Sequence, residues 1–356
     1  MLSLHNIDIR YGNFLAVDGV TLALKQGEIG CLLGPSGCGK TSILRALAGF
    51  EPIGKGKIFL RNEVVSKPNH TIAPEHRHIS VVFQDFALFP HMSVTENIAF
   101  GLHKWKKADR QSRVDEVLQL VGLSHASNRY PHELSGGQQQ RIALARALAP
   151  KPELLLMDEP FSSLDAELRE ELAKDIRTIL KRENTSALVV THDQNEAFAI
   201  ADVIGVLNDG KLHQWDDAYA LYHKPATRFV ADFVGNGVFL NSRVNERGNL
   251  SCCLGEVAVD PSRLNGFHIG QEIELLIRPD DVEYDEASNL IATVVRRSFR
   301  GANIMYELSI PGSEQTILCL APSHNDHAVN ESFGIRLDLA HLVMFAKPSM
   351  PAGKVR

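Results

Sequence analysis

Apolar and polar positions alternate through Leu2-Ser3-Leu4-His5-Asn6-Ile7-Asp8-Ile9-Arg10 with the two-residue period of a half-buried strand. Tyr11 and Gly12 interrupt this run. A second strand-like stretch, 16–24, ends at the Gln26-Gly27 turn. The texture then changes to short continuous apolar runs (29–33, 79–83, 153–157, 187–191 and 203–207) separated by stretches with helical periodicity. Those helical stretches lie at 42–48, 94–101, 110–121, 142–149, 162–181 and 195–199, with further helical segments around Pro225. Uninterrupted apolar runs are what strands buried on both faces require, and their alternation with helices predicts a doubly wound α/β sheet. Past about residue 235 the helical pattern stops. Short strand-like runs at 250–254, 272–277, 290–295, 303–310, 315–320 and 333–337 predict a small β-barrel or sandwich. The expected domains are therefore 1–235 and 236–356, with a helical subdomain at about 86–153 inside the first.

The apolar run 29–33 is followed by Gly34-Pro35-Ser36-Gly37-Cys38-Gly39-Lys40-Thr41 and then Ser42, where a helix opens. This is G-x-x-x-x-G-K-[ST] in the strand, loop, helix setting the motif needs. Without Cβ atoms the loop can wrap so that backbone N–H groups converge on phosphate oxygens, beside the partial positive charge of a helix N-terminus. Lys40 then faces the outer phosphates and the Thr41 hydroxyl faces Mg²⁺.

Three other strand ends carry polar side chains. Gln84 follows 79–83, Asp158 and Glu159 close 153–157, and His192 follows 187–191. Ligands of doubly wound sheets sit at such edges. Asp158 suits a Mg²⁺-holding position, and Glu159 that of a general base on water; the alternative is a salt-bridged structural pair. Gln84, taken alone, reads as a loop glutamine able to touch a metal-bound or attacking water. Tyr11, at a turn, reads either as a core aromatic or as a platform for a nucleotide base.

Leu134-Ser135-Gly136-Gly137-Gln138 opens an alanine-rich helix with a good cap and exposed backbone N–H groups, a second anion cradle that lacks a lysine. Ser93-Val94-Thr95-Glu96 reads as a capping box. The preceding loop, Phe86-Ala87-Leu88-Phe89-Pro90-His91-Met92, is more apolar than a solvent-facing loop needs to be, which suggests a docking surface.

Composition narrows the field. A net charge of −6 weighs against a nucleic-acid protein. The five cysteines form no C-x-x-C pair, and the histidines form no H-x-x-x-H arrangement, so neither suggests a metal centre. No apolar run approaches the roughly 20 residues of a membrane span, and no signal-peptide pattern opens the chain. A cytoplasmic protein is expected, reaching a membrane only through a partner.

Tyr11, 34–41, Gln84, 134–138, 154–159, Ser162-Ser163-Leu164-Asp165 and His192 stand in an order that resembles the ATP-binding subunits of ABC transporters: A-loop, Walker A, Q-loop, signature, Walker B with catalytic glutamate, D-loop and switch histidine. The region after 235, including Arg278-Pro279-Asp280, resembles the OB-like regulatory and dimerisation domain of importer ATPases. The wording of 29–57 is most similar to ferric-ion importers.

The resemblance implies an ATPase using Mg²⁺, with Glu159, His192 and Gln84 catalytic and Thr41, Gln84 and Asp158 at the metal. Nucleotide contacts would come from Tyr11, 34–42, Ser135, Gly136, Gly137, Gln138 and Asp165. It also implies a head-to-tail homodimer in which one copy's signature caps ATP in its partner's Walker A site. The partners would be integral membrane permeases at the cytoplasmic face of the inner membrane and, indirectly, a periplasmic or surface solute-binding protein, with no nucleic acid. The alternatives are the same motor for a polyamine, sulfate or a sugar, and a soluble ABC ATPase acting on nucleic acid or ribosomes.

Overall fold

A computed structural model describes residues 1–162, 164–264, 266–339 and 341–347. It divides into two compact units, Met1–Ala218 and Tyr219–Arg356.

The first unit runs β1 (Leu2–Tyr11), β2 (Phe14–Leu24), β3 (Ile29–Leu33), α1 (Lys40–Ala48), β4 (Lys55–Leu60), β5 (Glu63–Lys67), β6 (His70–Thr71) and β7 (Ile79–Val82). It continues with α2 (Val94–Ala99), α3 (Lys107–Leu120), α4 (Gly136–Leu148), β8 (Leu154–Asp158), α5 (Ala166–Arg182), β9 (Ser186–Thr191), α6 (Gln194–Ile200), β10 (Val203–Asn208) and β11 (Lys211–Asp216). One sheet is antiparallel, in the order β2-β1-β4-β5-β6; the other has the order β11-β10-β3-β9-β8-β7.

In the second sheet β10, β3, β9, β8 and β7 are all parallel. Their carboxyl ends therefore lie along one edge, where Gly34, Gln84, Glu159 and His192 leave the sheet. All residues of β3 and β9 are buried, and in β8 only Asp158 is not. That is why these strands read as unbroken apolar runs. One core joins the two sheets through α1, with Leu4, Ile9 and Ile58 in contact range of the same cluster as Leu32, Leu156 and Leu188.

Some strand boundaries depart from the sequence pattern for local reasons. The second strand starts at Phe14 rather than 16, because β1 and β2 form a tight hairpin pairing Tyr11 with Phe14. The β4–β5 hairpin turns on Arg61 and Asn62 at φ +48° and +68°, a left-handed pair with no glycine to mark it.

The second unit contains α7 (Ala218–His223), α8 (Arg228–Phe233), β12 (Val238–Val244), β13 (Leu250–Cys252), β14 (Gly255–Val257), β15 (Glu272–Ile277) and β16 (Val282–Tyr284). β17 (Ile291–Phe299), β18 (Asn303–Ser309), β19 (Thr316–Pro322), β20 (Ser332–Leu337) and β21 (Val343–Ala346) follow. Two five-stranded sheets, β14-β13-β12-β15-β21 and β16-β20-β17-β18-β19, share one apolar core that includes the fully buried Tyr306 and Phe333. The expected small all-β domain is present. The strand β12 escapes sequence detection because Ser242 occupies an inward position between Leu240 and Val244.

Arg278-Pro279-Asp280 forms a turn held by contacts inside its own domain. Arg278 is buried, its guanidinium stacks 3.9 Å from the Tyr222 ring centroid, and its Nη2 donates to the Tyr222 carbonyl at 3.0 Å. The Tyr222 hydroxyl in turn donates to Asp280 at 2.6 Å. The element thus pins α7 to its own domain.

Candidate nucleotide site

The loop from β3 to α1 is shaped by two close backbone approaches. A Cβ on Gly34 would lie 2.2 Å from the Leu207 carbonyl oxygen, and one on Gly39 would lie 2.5 Å from that of Ala16. Gly39 also stands at φ +104° as the cap of α1 and offers no side-chain oxygen to the helix. The first-turn N–H groups of α1 are left to bind something else. Lys40, 5% exposed, folds back over the loop and donates to the carbonyls of Gly34 at 2.7 Å and Pro35 at 2.9 Å. Cys38 packs under it, with Sγ 3.7 Å from Nζ and its thiol pKa raised by burial.

A cleft of about 220 Å³ opens over this loop, lined by Ser36, Gly37, Gly39, Lys40, Thr41 and Ser42 on one side and by Tyr11, Phe14 and Glu159 on the others. The Tyr11 hydroxyl donates to Ser42 Oγ at 3.3 Å, so the tyrosine does come to the edge of the phosphate loop. Phe14, 64% exposed, stands across the hairpin and was missed in the sequence. A second aromatic three residues after the first, with Gly12 between them, was the available signal.

Beside this cleft lies a second, about 540 Å³ in volume, lined by Phe83, Gln84, Asp85, Asp158 and Ser162. Thr41 Oγ1 donates to Asp158 Oδ1 at 3.2 Å, joining the two spaces. Burial pushes the Asp158 carboxyl above its ordinary pKa, against the Thr41 hydrogen bond that lowers it. A half-buried carboxylate with no ion pair to a cationic side chain among the described residues, next to a hydroxyl oxygen and across from an amide oxygen, is a set of hard oxygen donors suited to Mg²⁺. The residues therefore fit the ion.

Glu159 continues β8 by one hydrogen bond, its N–H donating to the Val190 carbonyl at 2.9 Å, and then turns at φ +44°. That left-handed backbone aims its carboxylate at the cleft, 3.4 Å from Nδ1 of His192. Behind His192, Thr191 Oγ1 donates to the buried Glu196, and Asp193 caps α6 through the N–H groups of Asn195 and Glu196. Arg169 of α5, also missed in the sequence, donates to the carbonyls of Leu164 at 2.7 Å and Ser162 at 3.4 Å and lies 3.9 Å from Asp193. Its carbonyl partners lie five and seven residues back, in the turn before its own helix, a reach that helical periodicity does not mark.

The structure thus brings Tyr11, the 34–42 loop, Gln84, Asp158, Glu159 and His192 to one sheet edge. Ser135, Gly136, Gly137 and Gln138 line neither cleft. They form a capping box at the start of α4, in which Ser135 N–H donates to Gln138 Oε1 at 3.1 Å and Ser135 Oγ accepts from Gln138 N–H at 3.4 Å. A Cβ on Gly136 would lie 3.2 Å from Leu164, so this helix start adjoins the 162–165 turn. Asp165 stands exposed as the cap position of α5; Ser163, expected in the same turn, lies outside the described residues.

The ABC transporter family profile matches residues 17–162, and the TOBE domain profile matches residues 275–345. The spermidine/putrescine import ATP-binding protein of Roseobacter denitrificans is 39% identical over 87% of this chain and 87% of its own length. The chain belongs to the ABC transporter family. The Fe(3+) ions import ATP-binding protein of Pectobacterium atrosepticum is 39% identical to this ABC chain, over 89% of it and 92% of the relative. The sulfate/thiosulfate import ATP-binding protein of Chromobacterium violaceum is 41% identical over 89% and 86%.

Among solved structures, the ATP-binding cassette MJ0796, a dimeric post-hydrolysis state bound to ADP and Pi, superposes with a TM-score of 0.53 at 30% identity. The match covers 61% of this chain and 98% of that one. The fold is the ABC ATPase P-loop fold followed by a TOBE domain, and the protein is an ATPase. Among the described residues no helix is long and apolar enough to cross a membrane.

Proposed function

We propose that this ATPase is the motor subunit of an importer, acting as a homodimer on membrane permeases at the cytoplasmic face of the inner membrane. The observation that carries the reading is the separation of its two anion cradles. The first-turn N–H groups of α1 face the cleft with Lys40, whereas the capped start of α4 lines neither cleft of its own chain. A second copy in head-to-tail arrangement supplies the missing half: Ser135, Gly136, Gly137, Gln138 and Asp165 of each chain complete the site on the other. The dimeric state of the MJ0796 structure is consistent with this arrangement.

In this reading Lys40 leaves the Gly34 and Pro35 carbonyls to hold the outer phosphates, and Tyr11 stacks on the base. Glu159 takes the proton from the attacking water, and His192 and Gln84 orient the water and the γ-phosphate. Thr41, Asp158 and Gln84 would hold Mg²⁺, which when bound neutralises charge building on the phosphate oxygens. ATP favours the closed dimer because its γ-phosphate touches both chains, and hydrolysis removes that preference.

For cargo we propose ferric iron, supported by the wording of the phosphate-loop region and by the Pectobacterium relative. Relatives named for spermidine/putrescine and for sulfate/thiosulfate match over similar lengths, and polyamine uptake is the second reading they support. Radiolabelled uptake in cells carrying Lys40→Ala decides between them. Loss of ferric iron accumulation with polyamine and sulfate uptake intact is expected; loss of another solute alone replaces the cargo, and loss of none overturns the importer reading.

A further inference from the structure

The loop leaving β7 turns sharply without glycine. Phe86 and Ala87 stand consecutively at φ +62° and +44°, a backbone that side chains resist unless neighbouring groups hold it. One guanidinium holds both: Arg146 Nη1 donates to the Ala87 carbonyl at 2.5 Å and Nη2 to the Phe86 carbonyl at 2.8 Å. The same side chain lies 5.5 Å from the Phe89 ring centroid. Further along the loop, the fully buried Asn97 of α2 accepts from Phe89 N–H and donates to the carbonyls of Phe89, Met92 and Ser93. From Phe86 onward, then, the loop is fastened to α2 and α4, while Gln84 and Asp85 form the span between that grip and the sheet.

Arg146 belongs to α4, the helix whose first turn is the Ser135 capping box. A planar guanidinium gives two parallel donors at a fixed spacing and so fixes direction as well as distance; an ammonium does not. Any displacement of α4 driven by an anion at its N-terminus is handed directly to the two carbonyls that follow Gln84 and Asp85.

We propose that Arg146 is a positioning residue for ATP turnover. Its grip on Phe86 and Ala87 makes Gln84 travel with α4, so that engagement of Ser135 by the partner copy's nucleotide is registered in the cleft of Gln84 and Asp158. This rests on the roles given above to Gln84 and Ser135. Packing alone would give Arg146 a stability effect without linking it to Gln84.

The test compares Arg146→Met, Gln84→Ala and the double variant in the full chain, by ATPase kinetics and thermal melting. Arg146→Met is expected to lower kcat about tenfold with KM for ATP within about twofold, since the phosphate loop is untouched. Added to Gln84→Ala it should cost less than about a further twofold, because both changes break one linkage. Wild-type kcat in Arg146→Met, or losses that multiply in the double variant, would overturn the proposal. Gln84→Ala with wild-type turnover would overturn the role of Gln84 itself, and the proposal with it. If Arg146→Met does not fold, Arg146→Lys carries the test. It keeps the charge without the fork, and is expected to lose kcat at a normal melting temperature; full kcat would contradict the linkage.

Discussion

Glu159 is the residue on which hydrolysis turns in this account. Its backbone sits in the left-handed region, and its carboxylate shares the cleft with the phosphate loop while contacting His192. Replacement by glutamine keeps shape and removes the proton acceptor. Glu159→Gln is expected to bind ATP with wild-type affinity and to turn over about 10² times more slowly or less, measured by phosphate release against nucleotide binding; unchanged release would remove Glu159 from the role. Lys40, Thr41, Asp158 and His192 were legible because each sits at a fixed offset from an apolar run, and a strand end is a position that sequence marks. Phe14, Arg146 and Arg169 were not. Arg146 reaches carbonyls about sixty residues away and Arg169 those of the turn before its helix, and nothing in an alternating or helical period records which carbonyl a guanidinium will reach.

At the level of elements, α1 is held at both ends. Its first turn opens on the phosphate-loop cleft, and its last carbonyls accept from Arg77, which donates to Ala46 at 2.9 Å and to Leu47 at 2.8 Å. Arg77 also donates to the carbonyls of Ile72 and Val65 and to Ser66 Oγ at 2.7 Å, binding the β5–β6 region to the helix. It is 2% exposed, and burial lowers its pKa to about 10. A cation at a helix C-terminus complements the dipole whose other end faces the cleft. Arg77→Met leaves several buried acceptors unpaired and should destabilise the chain by about 3 kcal/mol or more, read from urea unfolding; a change under about 1 kcal/mol would show that water replaces the guanidinium. The elements themselves were largely legible where burial is complete on both faces, as in β3, β8 and β9. Legibility failed where a polar residue points inward, as at Ser242, or where a left-handed turn lacks glycine, as at Arg61 and Asn62.

Taken whole, the chain carries one complete phosphate loop and one capped cradle that its own cleft does not use. The sequence showed both, and showed that only one has a lysine. Their separation is a property of the folded α/β unit, since Ser135 is presented by a helix start next to Leu164 rather than at the sheet edge. In the proposed reading, a second copy makes the arrangement chemically complete. The β-rich domain adds a separate core with its own pinned helices.

The measurement that bears most directly on this is the turnover of Ser135→Glu alongside its affinity for ADP. A site shared between two copies predicts ADP affinity within about threefold of wild type, because the phosphate loop is intact, and ATP turnover reduced about a hundredfold by an anion set against the γ-phosphate. Wild-type turnover with glutamate at position 135 would contradict the shared site.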